Sequence, residues 1–163
     1  MPKMLINLQK AFLFAFTPLI CMPALSQGTR PTLERKTAET LVQACHDLAQ
    51  TKGWRMAVAV NDEAGRLMLF SRMEGTVPIA VRVAQLKANT SSVLPLSTRQ
   101  YRDAVAFNRG AELISGITTV AGGLPIVNAQ GQAIGSVGVS GGNEDQDEVC
   151  AQAGLDAIRE SLL

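Results

Sequence analysis

Two short apolar runs, each doubled back on itself through a turn, constrain the fold of this chain more than any other feature. Met56 to Val60 is unbroken and apolar, ends at Asn61-Asp62-Glu63-Ala64-Gly65, and is answered by Arg66 to Ser71. Further on, Gly122-Gly123 breaks the chain before Pro125-Ile126-Val127, Ala129 to Gly131 supplies a turn, and Ala133 to Ser140 runs back. Apolar runs of this length bounded by Asn, Asp and Gly read as the strands of hairpins. Hairpin strands are antiparallel, so the sheet they enter is not a parallel, doubly wound one. Neither Gly122-Gly123 nor Gly141-Gly142, which stops the last strand, sits in a G-x-G-x-x-G or G-x-x-x-x-G-K-[ST] pattern, so no phosphate-binding loop is encoded there.

Helical spacing fills the rest. Pro31-Thr32 opens a first helix, with Thr32 as the expected N-cap and Ala38, Leu41, Val42, Cys45, Leu48 and Ala49 as its apolar stripe, ending at Gly53. Pro78 fits the first turn of a second helix carrying Ile79, Ala80, Val83, Ala84 and Ala88, whose small-residue stripe permits close packing. Thr98 is the expected N-cap of a third helix to about Phe107, with a shorter helical piece around Ala111 to Ile114. Asp145-x-x-Glu148 has the spacing of an acidic capping box for a last helix reaching Leu162. The order is helix, hairpin, helices, hairpin, helix, which predicts an α/β protein of the α+β type, an antiparallel sheet flanked by helices.

The first 26 residues read as a signal peptide: Lys3 and Lys10, an apolar run from Ala11 to Ile20, and small residues at Ala24 and Ser26 before a cut at Gln27. Residues 27–163 then form a single domain in the periplasm or outside the cell. The whole chain has a net charge of +1, and without Lys3 and Lys10 its 13 basic residues face 14 acidic ones. That balance implies neither nucleic acid nor an anionic membrane as partner once the signal is cleaved. Cys45 and Cys150 sit on helical apolar faces and read either as small buried hydrophobes or as a bridge between the first and last helices. One histidine and no metal-type cysteine spacing give no metal site.

Taken in order, these pieces resemble the GlcG/HbpS-like haem-binding family, called haem-degrading in some classifications and related to the C-terminal domain of PduO. The resemblance rests on Val58-Ala59-Val60-Asn61-Asp62 with Gly65, Ser71 to Gly75, Ala84 with Lys87-Ala88-Asn89-Thr90, Gly122 to Ile126, Ile134 to Gly142, and Asp145 to Glu148. Asn61 and Asn89-Thr90-Ser91 depart mildly from the pattern. It implies a sheet of about five antiparallel strands, a homo-oligomer, and haem as the cofactor of exported members.

The ligand site is expected between the two hairpins, lined by Arg72, Met73, Lys87, Thr90, Gly122, Gly123 and Pro125. These positions end or interrupt regular elements, where side chain and backbone both reach a ligand. Arg72 and Lys87 are two cations that suit a pair of propionates; equally, Arg72 pairs with Asp62 or Glu74 and Lys87 is solvated. Met73 is a soft axial ligand or ordinary core filling. His46 is a candidate iron ligand or, lying off the apolar stripe among Gln43, Asp47 and Gln50, a solvated surface residue. An enzyme remains open: a cofactor-free lyase or isomerase would use Asp62, Arg72 and Lys87 on a small carboxylated substrate, while Gly138-Val139-Ser140-Gly141-Gly142 is a poor nucleophile elbow. An accessory structural oligomer is the third reading.

Overall fold

A computed structural model describes residues 31–163; the expected signal peptide and its cleavage point lie outside them. Helix α1 (Arg35–Lys52) leads into strands β1 (Ala57–Asp62) and β2 (Leu67–Arg72), followed by α2 (Pro78–Val93), α3 (Thr98–Val105) and a short 3-10 segment, Arg109–Leu113. Strands β3 (Gly123–Val127) and β4 (Ala133–Ser140) precede α4 (Glu144–Ile158), which tightens into a 3-10 turn at its end. The described strands form one antiparallel sheet in the order β2-β1-β4-β3, four strands where about five were expected. Among the described residues no helix is long and apolar enough to cross a membrane.

Three helix starts differ from expectation, each because a better local partner exists. Leu33 is buried, which draws the lead-in into the core as extended chain, so α1 begins at Arg35 and Thr32 does not cap it. Ser97, one residue before Thr98, accepts from Gln100 N while Gln100 returns a bond to the Ser97 amide, a reciprocal cap. Asn143 and Gln146 form the same pair at α4. The acids that looked like a capping box are turned instead toward α3, where Arg99 meets Asp145 and Glu148 at 2.6 and 2.5 Å and Arg102 meets Glu144 at 2.6 Å.

The two faces of the sheet are packed differently. Val58, Val60, Ile126, Val137 and Val139 face α1 and α4 and form the larger core with Leu41, Cys45 and Cys150. Cys45 and Cys150 form a disulfide that ties those two helices across 105 residues of sequence, which resolves the alternatives left open for them. On the other face Ala57 and Ala59 meet Ala80, Ala84 and Ala88 of α2, with Phe70 beside them. Small residues let α2 sit nearly on the sheet: a β-carbon at Gly138 would strike the Ala84 carbonyl, the Ala88 amide nitrogen and, at 3.0 Å, Lys87 Cβ.

His46 lies half-buried on α1, where its Nε2 is shielded from water and makes no hydrogen bond. Burial holds its pKa below the usual imidazole value, against a smaller opposing pull from Asp47. The unfolded chain therefore binds a proton more readily than the native one between those two values, and stability falls as pH drops through that window. Urea denaturation at pH 7.5 and pH 5 is expected to show this loss, and His46→Gln should reduce it. An unchanged pH dependence in the variant would show that other groups set it.

Candidate functional site

The residues expected to line a ligand site divide between an interior cluster and two separated surface positions. Strands β1 and β4 are hydrogen-bonded along a continuous ladder from Ala57↔Ser140 to Asp62↔Gly135, so the two hairpins meet edge to edge and leave no cleft between them. Arg72 ends β2 at one edge of the sheet, whereas Gly123 and Pro125 belong to β3 at the other, three strand spacings or roughly 14 Å across. Arg72 is exposed and has no carboxylate within salt-bridge distance among the described residues. Asp62, one of its alternative partners, is held by Arg66 at 2.9 Å and accepts from the Ala64 and Arg66 amides in the hairpin turn. Met73 Sδ lies 3.5 Å from the Met56 amide and its side chain packs on the main core, as core filling requires.

Lys87, Thr90, Gly122 and Gly123 do come together, but in the interior. The Lys87 side chain is fully buried and donates to Asp147 Oδ2 at 2.6 Å and to the Val139 carbonyl at 2.8 Å. Asp147 is buried as well and accepts the Gly142 amide through its other oxygen. Burial pulls the lysine pKa down and pushes the carboxyl up, and each charge is what keeps its partner ionised. Gly122 closes the cluster: at φ +116° it passes so near that a β-carbon would stand 2.8 Å from Asp147 Cβ and 2.9 Å from both Lys87 Nζ and the Val139 oxygen. Thr90 Oγ1 donates to Leu86 O and accepts from Thr118 N, and the Gly123 amide donates to Thr98 Oγ1. Lys87 is thus neither solvated nor open to a ligand, because Asp147, absent from the sequence reading as its partner, claims it. Only its spacing on α4, with Cys150, Ala151 and Gly154 on the same buried side, hinted that Asp147 points inward.

This arrangement also disperses the enzymatic sets. Asp62, Arg72 and Lys87 are respectively tied in a turn, exposed on an edge strand and sealed inside. His46 Nε2 has no hydrogen-bond partner among the described residues, Ser140 included.

Among the surface hollows is a groove of about 290 Å³ beside α2 on the alanine-packed face, lined by Asn61, Gly65, Leu67, Arg82, Gln85, Leu86, Asn89 and Gly116. The groove follows from the local sequence. The β1–β2 register places Leu67, Phe70 and Arg72 opposite Asn61, Ala59 and Ala57, hence on the face turned to α2. Gly65 leaves room at the hairpin tip, where its nearest side-chain neighbour is Ser92. Asn89 Nδ2 holds the loop after the 3-10 segment through Gly116 O at 2.7 Å, and Asn61, Ser92 and Ser136 form a hydrogen-bonded floor. Arg82 is exposed and without a carboxylate partner among the described residues. Apolar walls with one cation, three amides and a second cation, Arg72, farther along the same sheet face suit a flat apolar ligand bearing carboxylates. Porphyrin propionates fit that donor set. An imidazole or thioether axial ligand does not arise from it, since His46 lies on the opposite layer and Met73 faces the core.

A four-stranded antiparallel sheet with two disulfide-linked helices on one face and a closely seated helix beside an open groove on the other defines a small α+β domain. The chain belongs to the HbpS-like family: the family model described as haem degrading protein HbpS-like matches residues 33–156. Protein GlcG of Escherichia coli K12 is 36% identical over 113 residues, covering 69% of this chain and 84% of that protein. Among solved structures, a double mutant of Streptomyces reticuli HbpS matches with a TM-score of 0.76 at 29% identity, over 88% of this chain and 98% of that one. PduOC, solved as a complex with haem, matches with a TM-score of 0.72 at 26% identity, over 78% of this chain and 96% of that one.

Proposed function

We propose that this chain is an exported, self-associating protein that binds haem or a similar flat carboxylated cofactor in the groove between α2 and β2. The observation that carries this reading is the haem complex of PduOC, a chain that shares this fold over 96% of its length. The groove adds chemical support. Arg82 and Arg72 are free to meet propionates, and Leu67 and Leu86 offer apolar contact to a ring. At about 290 Å³ the groove is at the small end of ligand sites and leaves much of a porphyrin uncovered in one protomer. The Cys45–Cys150 disulfide is consistent with an oxidising compartment, as export would provide.

Titration of the purified, haem-free protein with haem should give a saturable Soret change. Arg82→Met and Arg72→Met should each weaken it by roughly 1.5 to 3 kcal/mol, the scale of hydrogen bonds to charged groups. A linear, non-saturating titration would remove the proposal, and saturable binding untouched by both variants would move the ligand out of this groove. Intact mass of the exported product, expected to begin at Gln27, tests the localisation independently.

A further inference from the structure

Helix α2 is the longer of the two helices on the alanine-packed side of the sheet, and its outer surface is not that of a solvated helix. Ile79 is 64% exposed and Val93 55% exposed, with Leu86 half-buried midway between them. The three recur every seven residues, a spacing that drifts only about 20° per step around the helix and so forms one continuous stripe. Arg82, Gln85 and Asn89 lie farther round toward the groove, whose rim Leu86 shares. The stripe reads the same in both directions from Leu86. Turned end for end about that residue, the helix places Ile79 where Val93 was.

We infer that this stripe is the contact surface for a second copy of the chain, with α2 packed antiparallel against α2 about a two-fold axis at Leu86. The inference rests on the self-association proposed above and assigns it a surface. An isologous contact needs a self-complementary patch, and Ile79 on the partner's Val93, Leu86 on Leu86 and Val93 on Ile79 supply one. The charges agree with that orientation. Helix α2 carries no acidic residue, no acid in its first turn and no base in its last, so its dipole is uncompensated at both ends. Antiparallel packing sets each amino end, with Arg82 near it, beside the other's carbonyl-rich end. The two Arg82 side chains stem from points about 12 Å apart along the axis, four residues either side of the two-fold, which salt largely screens. The partner's helix would also stand beside the groove and provide the wall that one protomer lacks.

The test uses the haem-free protein and its mass in solution by sedimentation or light scattering at micromolar concentration. Wild type should be a dimer or an even multiple. Ile79→Lys alone and Val93→Glu alone should each halve the mass, and the double variant Ile79→Lys/Val93→Glu should restore it, because each lysine then faces the partner's glutamate. Both positions are exposed in the protomer, and a preserved thermal midpoint excludes misfolding as the cause of lost mass. A monomeric wild type overturns self-association itself. Single variants that keep the wild-type mass, or a double variant that stays dissociated, overturn this surface and register while leaving self-association and haem binding standing.

Discussion

Lys87→Met is expected to lower the unfolding free energy by about 3 to 5 kcal/mol, the usual result of removing one member of a buried ion pair. The loss comes from what remains: Asp147 stays inside the protein, 2 % exposed, with its charge no longer answered. Against the ~5 to 15 kcal/mol that holds a domain folded, this is a large fraction. Asp147→Asn, which strands the ammonium instead, should cost a comparable amount. The double variant Lys87→Met/Asp147→Asn keeps an acceptor for the Gly142 amide and removes both charges, so it should be more stable than either single variant. Denaturant unfolding of the four proteins measures this. A single-variant cost below about 1 kcal/mol would show that the pair opens to water and is not the sealed cluster described. Any loss of haem binding in Lys87→Met must therefore be read against its stability, since this lysine reaches no ligand directly.

Replacing both Cys45 and Cys150 by alanine should cost about 2 to 5 kcal/mol and lower the thermal midpoint by roughly 10 °C or more. The bond closes a loop of 105 residues, from the first described helix to the last, so it restricts most of the unfolded domain. Both cysteines are fully buried, and the alanines leave small cavities between α1 and α4 that add to the loss. Scanning calorimetry of the wild type with and without reductant, beside the double variant, separates the two contributions. Equal midpoints for oxidised wild type and double variant would show that the cross-link adds nothing to the packing of those helices.

The hairpins and the helices between them were readable because their signals are local: apolar runs of strand length, turn residues at their ends and stripes at helical spacing. The capping errors show where local signals end. Asp145 and Glu148 have the spacing of a cap, yet Arg99 on another helix claims both acids, and a nearby asparagine takes the cap. The candidate site was harder still. Lys87, Thr90, Gly122 and Gly123 were expected to line a ligand site, but what brings Lys87 and the glycines together has another reason. That reason is an interior ion pair closed by a glycine loop, and it depends on Asp147, 60 residues from Lys87.

By itself, then, the sequence determined the element order, the antiparallel pairing within each hairpin and the small-residue face of α2, since each depends on neighbours a few residues apart. Only the tertiary structure decided that β1 pairs with β4, which joins the hairpins and removes the cleft expected between them. It also decided that Cys45 meets Cys150, that Lys87 is withdrawn to Asp147, and that Arg82 is left beside an open groove. The physical reason is common to all of these. A charge or thiol takes its role from the partner that burial brings within a few ångströms, and that partner is chosen by packing across the sheet, where distance along the chain carries no information.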